Sequence, residues 1–88
     1  MKQPSKESAE KADVITGEII RRRRRELGMT MLDLSQSAGV AYQQIQKYET
    51  GTNRISVSKL IKLAKGLGCT ASDIVREAEE RLASEKAG

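Results

Sequence analysis

The sequence predicts an all-α fold, and three observations carry that prediction. Its apolar residues are mostly Leu, Ile, Val and Ala at helical spacing, with no strand-favouring runs. Its aromatic complement is two tyrosines, Tyr42 and Tyr48, too few for the aromatic-rich strands of an all-β core. Capping residues and glycines punctuate the chain so as to mark out five helices. Eighty-eight residues allow one domain, and a core of that size is marginal alone, so dimerisation is an expected source of stability.

Residues 1–13 mix Lys, Glu, Ser and Pro4 without a period and are expected to fray. The expected organisation is a flexible arm over 1–14, a helical domain over 15–83 and a flexible end over 84–88. A first helix is predicted from about Thr16 or Gly17 to Leu27, closed by Gly28 as a left-handed cap. Arginines fill every position from Arg21 to Arg25 and sweep through about 400°, so they cannot all face one partner. Arg24 lies on the stripe of Ile20 and Leu27 and must point at the body of the domain. A buried guanidinium without a carboxylate is very costly, and Glu49 is the candidate partner. The remaining arginines either line a phosphate backbone or keep the surface wet, and the run alone does not choose.

The second helix starts at Thr30, an N-cap whose partner three residues on is Asp33. Leu34 and Ala38 face inward, Gly39 breaks the helix with a positive φ, and Val40 plugs the turn. The third helix covers Ala41 to Glu49. Ala41 stands at its cap site and cannot accept the hydrogen bond that Ser or Thr would, a loss of about 1 kcal/mol. Ala41, Ile45 and Tyr48 share one stripe. The other side carries Tyr42 with Gln46 and Gln43 with Lys47, two i,i+4 pairs, with Gln44 beside them. Gln can pair with adenine N6 and N7, and Lys can reach guanine or phosphate, so this flank is suited to base edges. A plain solvated face is the alternative.

Gly51 closes that helix, and Thr52, Asn53 and Arg54 form a polar loop. Ser56 caps the fourth helix, with Ile55 and Leu60 placed for a hydrophobic staple. Its inner face is expected to be Val57, Leu60, Ile61, Ala64 and Leu67, with Lys59, Lys62 and Lys65 in solvent and Gly66 and Gly68 at its end. Thr70 and Asp73 repeat the cap pattern for a fifth helix with Ile74, Val75, Ala78 and Leu82 on one stripe.

Catalysis has little to stand on. There is no histidine to serve as general base or metal ligand, and the single Cys69 excludes a cysteine-rich metal site and an internal disulfide. Cys69 is expected to pack, and no metal or cofactor is expected. No apolar run is long enough for a membrane span, and the N-terminus lacks the apolar core of a signal peptide, so a cytoplasmic location is expected. Net charge is +4 with a pI near 9.5; between Gly17 and Arg54, seven Arg/Lys face four Asp/Glu. That balance permits nucleic acid as a partner without demonstrating it.

The combined spacing is the specific signal. G-M-T at 28–30, D-L-S-x-x-A-G-V at 33–40, I-x-x-Y-E-x-G at 45–51 and S-x-x-x-L-x-x-L-A-x-x-L-G at 56–68 resemble the lambda-repressor-like helix-turn-helix family of Cro/XRE type. The resemblance covers roughly Gly17 to Val75. It implies a compact five-helix domain that docks its third helix in the major groove of double-stranded DNA, as a small stand-alone transcriptional regulator. On that resemblance Tyr42, Gln43 and Gln46 touch bases, with Lys47 near the rim, and Gln44 reaches a phosphate or a base. Thr52, Asn53 and Arg54 grip the backbone, and phosphate binding also draws on Arg21, Arg22 or Arg25. The resemblance likewise implies an ion pair of Arg24 with Glu49.

Family members generally act as symmetric dimers, and the fifth helix, through Val75, Ala78 or Leu82, is the expected surface unless these residues only pack on the fourth helix. Two departures stand out. Met31 replaces the usual Gln at the start of the second helix, and Ala41 replaces the usual Ser or Thr. Both weaken expected DNA contacts, and Met31 with Leu32 could instead meet a protein. The reading is therefore a dimeric repressor on a palindromic operator, with a protein-binding module on the same fold (an anti-activator or an antitoxin) as the alternative.

Overall fold

A computed structural model describes residues 10–87, as five helices: α1 (Lys11–Glu26), α2 (Met31–Ala38), α3 (Tyr42–Glu49), α4 (Val57–Gly66) and α5 (Ala71–Ala87). There is no strand among the described residues. The first helix begins about five residues earlier than the sequence predicts. Asp13 sits in its first turn, and Ile15 is buried, so 11–14 belong to the domain and not to a frayed arm. Glu10 precedes it without a side-chain cap, which is why no start signal marks this point. Residues 1–9 lie outside the described residues. At the other end α5 continues to Ala87, through the segment expected to fray.

Local chemistry fixes the other helix starts. Thr30 and Asp33 form a reciprocal capping box: the Thr30 N–H donates to Asp33 Oδ2 (2.9 Å) and the Asp33 N–H to Thr30 Oγ1 (3.0 Å). Thr70 and Asp73 repeat it at 3.1 Å in both directions. Ser56 caps α4 by accepting from the Lys59 N–H. Hydrogen bonds from Thr30 and Thr70 to the Asp33 and Asp73 carboxylates hold both below the usual aspartate range. Gly39 ends α2 at φ +70°, where a side chain would be strained, and this turn sets α3 across α2.

One core serves all five helices. Ile15, Ile19 and Ile20 from α1, Leu34 from α2, Val40 from the turn, Ile45 and Tyr48 from α3, Leu60, Leu63 and Leu67 around α4, and Ile74 and Ala78 from α5 are buried together. The inner face of α4 is rotated from the predicted one. Leu63 is fully buried, while Val57 is 73 % exposed and Ile61 53 % exposed. Leu60, Ala64 and Leu67 belong to both candidate stripes, so periodicity alone could not separate the two flanks.

Two glycines let helices approach more closely than any side chain would permit. A Cβ on Gly17 would lie 2.0 Å from the Tyr48 carbonyl oxygen, so the middle of α1 rests directly on the end of α3. A Cβ on Gly66 would lie 2.9 Å from Ala38 Cβ, where α4 meets α2. Gly17 is thus a packing residue inside α1, not the helix start its position implied.

Candidate nucleic-acid interface

The α3 helix is held by one side and free on the other. Ile45 and Tyr48 are buried, and Glu49 is 7 % exposed. Gln43, Gln46 and Lys47 are exposed, and Tyr42 is 39 % exposed. These four side chains present amide, phenol and ammonium groups along one short helix. Ala41 has the extended backbone of an N-cap residue (φ −60°, ψ 140°) but makes no side-chain cap bond. Gln44 does not share the free surface: it is half-buried, and its amide donates to the Tyr48 hydroxyl at 3.0 Å. A contact from Gln44 to a phosphate or a base would have to give up that bond.

The loop after α3 folds back on the helix end. Thr52 and Asn53 donate their N–H groups to the Lys47 carbonyl at 2.8 and 3.3 Å. The hydroxyls of Thr50 and Thr52 are 2.9 Å apart, and Thr50 Oγ1 also donates to the Gln46 carbonyl at 3.0 Å. Thr52 and Arg54 are exposed and Asn53 half-buried. Arg54 has only a loose pairing, Nε lying 3.9 Å from Asp13 Oδ2. Its charge remains available beside α3.

The arginine run divides by direction. Arg24 is 8 % exposed and forks onto Glu49, from Nε to Oε2 at 2.8 Å and from Nη2 to Oε1 at 2.9 Å. Its Nη1 donates to the Met29 carbonyl at 2.8 Å. The hydrogen bond with Glu49 raises the Arg24 pKa still further, so this buried guanidinium is always charged. The pair fastens the C-terminal end of α3 to α1.

Arg22 departs from its expected place on the backbone-binding side: it forks onto Glu77 of α5, with Glu26 3.4 Å from its Nε. Arg23 joins Glu77 at 3.1 Å. Arg22, above all, holds the Glu77 carboxyl below the usual range for glutamate. A long-range pairing of this kind leaves no trace in local spacing. Arg21 and Arg25 are exposed and make no ion pair among the described residues.

Met31 is half-buried and packed against the core, so it is less available as a contact than the sequence implied, while Leu32 is 55 % exposed. On α5, Ala78 is 5 % exposed and spends its surface inside the domain. Of the residues expected at a dimer surface, Val75 is 42 % exposed and Leu82 half-buried. Cys69 is half-buried against the core, and burial pushes its thiol pKa up, away from reactivity. No helix among the described residues is long and apolar enough to cross a membrane.

A five-helix domain that turns sharply at Gly39 and leaves one flank of the following helix bare belongs to the helix-turn-helix class. Comparison with known proteins narrows this. A family model described as helix-turn-helix matches residues 20–74, and the chain belongs to that family, in its Cro/XRE type. It is similar to an HTH-type transcriptional regulator of Sinorhizobium medicae, 42 % identical over 66 residues that cover 75 % of this chain and 48 % of the relative. The chain spans about half the length of the curated relatives it matches.

Among solved structures, the clp gene regulator ClgR of Corynebacterium glutamicum superposes with a TM-score of 0.79 at 22 % identity, over 91 % of this chain and 85 % of that one. The restriction-modification controller protein C.AhdI of Aeromonas hydrophila gives a TM-score of 0.67 at 23 % identity, over 69 % and 92 %. At such identities the structural likeness speaks for the fold.

Proposed function

We propose that the protein is a sequence-specific DNA-binding transcriptional regulator, a dimeric repressor that lays α3 in the major groove of a palindromic operator. The observation that carries this is the asymmetry of α3: Ile45, Tyr48 and Glu49 are locked inside, while Gln43, Gln46 and Lys47 stand free. A rigidly backed helix with outward amides matches the donor and acceptor pattern of base edges. Tyr42, Gln43 and Gln46 read bases with Lys47 at the rim, and Thr52, Asn53 and Arg54 hold the backbone. The curated relatives' names as transcriptional regulators support the same reading. Dimerisation uses α5 through Val75 and Leu82, which are not fully covered within one copy. Half-sites about one helical turn apart then match the two-fold axis.

A gel shift with the promoter of the protein's own gene, at low and moderate salt, tests the proposal. Gln43→Ala is expected to relax sequence preference, whereas Arg54→Ala weakens all sequences alike. Absence of a retarded band at low salt would sink the DNA reading. Leu27 and Leu32, 56 % and 55 % exposed, support the other reading, a protein-binding module used as an anti-activator or antitoxin.

A further inference from the structure

Beside the bare flank of α3 lies an open cleft of about 250 Å³ between α1 and α3, and its chemistry is one-sided. Arg21, Arg24 and Arg25 line it with Gln46, and among the described residues the only carboxylate on its wall is Glu49. That carboxylate is consumed by Arg24 through two hydrogen bonds. The nearby acids of α1 are occupied as well: Glu18 accepts from Arg81 at 2.7 Å, and Glu26 is 3.4 Å from Arg22. Arg21 and Arg25, one helical turn apart, thus border the same concavity without an ion pair among the described residues, and on their other side border a second cleft with Glu18 and Glu26. The Gln46 side chain makes no hydrogen bond among the described residues. Thr50, also on the wall, has its hydroxyl committed to the Gln46 and Lys47 carbonyls and to Thr52. Met31, the remaining neighbour, offers no donor.

We propose that Arg21 and Arg25 together clamp a single phosphate of the DNA backbone. The inference rests on the DNA-binding reading and specifies one contact within it. Two forks four residues apart suit the non-bridging oxygens of one phosphoryl group, which Arg engages in bidentate fashion. Gln46 stands at the border between this cleft and the reading flank, so a phosphate held in the cleft is continuous with the groove that α3 enters. That continuity, and the openness of the cleft, favour a strand over a small free anion. Arg22 takes no part, being turned to Glu77. Of the five consecutive arginines, two serve as the clamp, one as the buried tie and two as the link to α5.

Sharing makes the test quantitative. One neutralised phosphate contributes about 0.9 to the slope of log K against log salt, which is about 3.5-fold in affinity between 50 and 200 mM. Affinity is measured by fluorescence anisotropy on a mixed-sequence duplex across that range, with thermal melts of every variant. Wild type must bind first; if it does not, the DNA reading fails and the clamp with it. Given binding, Arg21→Ala and Arg25→Ala alone are expected to leave the slope almost unchanged, because the remaining arginine still neutralises the phosphate. The double variant is expected to lose about 0.9 per protomer, and Arg22→Ala none. A loss near 1.8 per protomer in the double variant would mean two separate phosphates and overturn the shared clamp. An unchanged slope would overturn it while leaving DNA binding by α3 intact. Inorganic pyrophosphate supplies the last arm: if it binds wild type and not the double variant while both keep the same DNA slope, the cleft takes a free phosphoryl ligand and the strand proposal is wrong.

Discussion

Replacing a glycine by alanine in the interior of a helix ordinarily stabilises it by about 1 kcal/mol, because alanine loses less backbone entropy. At Gly17 the structure predicts the reverse. The added Cβ would fall 2.0 Å from the Tyr48 carbonyl oxygen and 3.1 Å from its carbon, against a limit near 3.0 Å for real contacts. The obstacle is backbone, so no rotamer change relieves it, and α1 and α3 must part by about 1 Å. Parting them disturbs Ile20, Ile45 and Tyr48, all buried. Overpacking of this kind costs about 3–4 kcal/mol, at and slightly beyond the upper end of its usual range. Subtracting the helix-propensity gain leaves Gly17→Ala destabilised by about 2–3 kcal/mol. For a domain of this size that lowers Tm by roughly 10–20 °C, read by circular dichroism. A Tm equal to or above wild type would refute the close contact between α1 and α3. The same shift moves α3, so DNA affinity should fall even below the melting range.

Arg24→Ala leaves the Glu49 carboxylate buried without its partner and should cost about 3–5 kcal/mol in a urea titration. Replacing both residues by Met and Leu should recover most of that loss; a double variant no better than Arg24→Ala would contradict the pairing. Ala41→Ser places a hydroxyl at a residue already in cap geometry and should add about 1 kcal/mol, raising Tm by roughly 4–8 °C; no gain would show that the α3 end cannot use a cap. The depressed Glu77 carboxyl, with Asp33 and Asp73 shifted the same way, sets an acid limit. Because the unfolded chain takes up these protons first, the contribution of Glu77 is complete above its ordinary value of 4.5 and is lost as pH falls through its lower folded-state value. Glu77→Gln should flatten that limb of a stability–pH profile, and an equally steep limb would mean that Arg22 does not hold it.

Local signals in the sequence were readable wherever a helix start or turn is settled by residues a few positions apart. Thr30 with Asp33, Ser56, Thr70 with Asp73, and Gly39 are of this kind, and each acts in the structure as the spacing implies. Signals that depend on a distant element were not readable. Gly17 looked like a helix start because its role depends on where the Tyr48 carbonyl lies, 31 residues later. The α1 start was missed because Glu10 caps nothing. On α4 the choice between Ile61 and Leu63 depended on the directions from which α2 and α5 arrive. Within the candidate interface, the exposure of Gln43, Gln46 and Lys47 followed from the helix period. The turning of Arg22 toward α5, and of Gln44 toward Tyr48, did not.

Lys11 with Glu85, Glu18 with Arg81, and Arg22 with Glu77 form rungs along the seam between α1 and α5, all at or near solvent. Such rungs weaken as ionic strength rises. Electrolyte therefore acts on this molecule in two places, diluting its attraction for a polyanion and slackening the seam behind the arginine run.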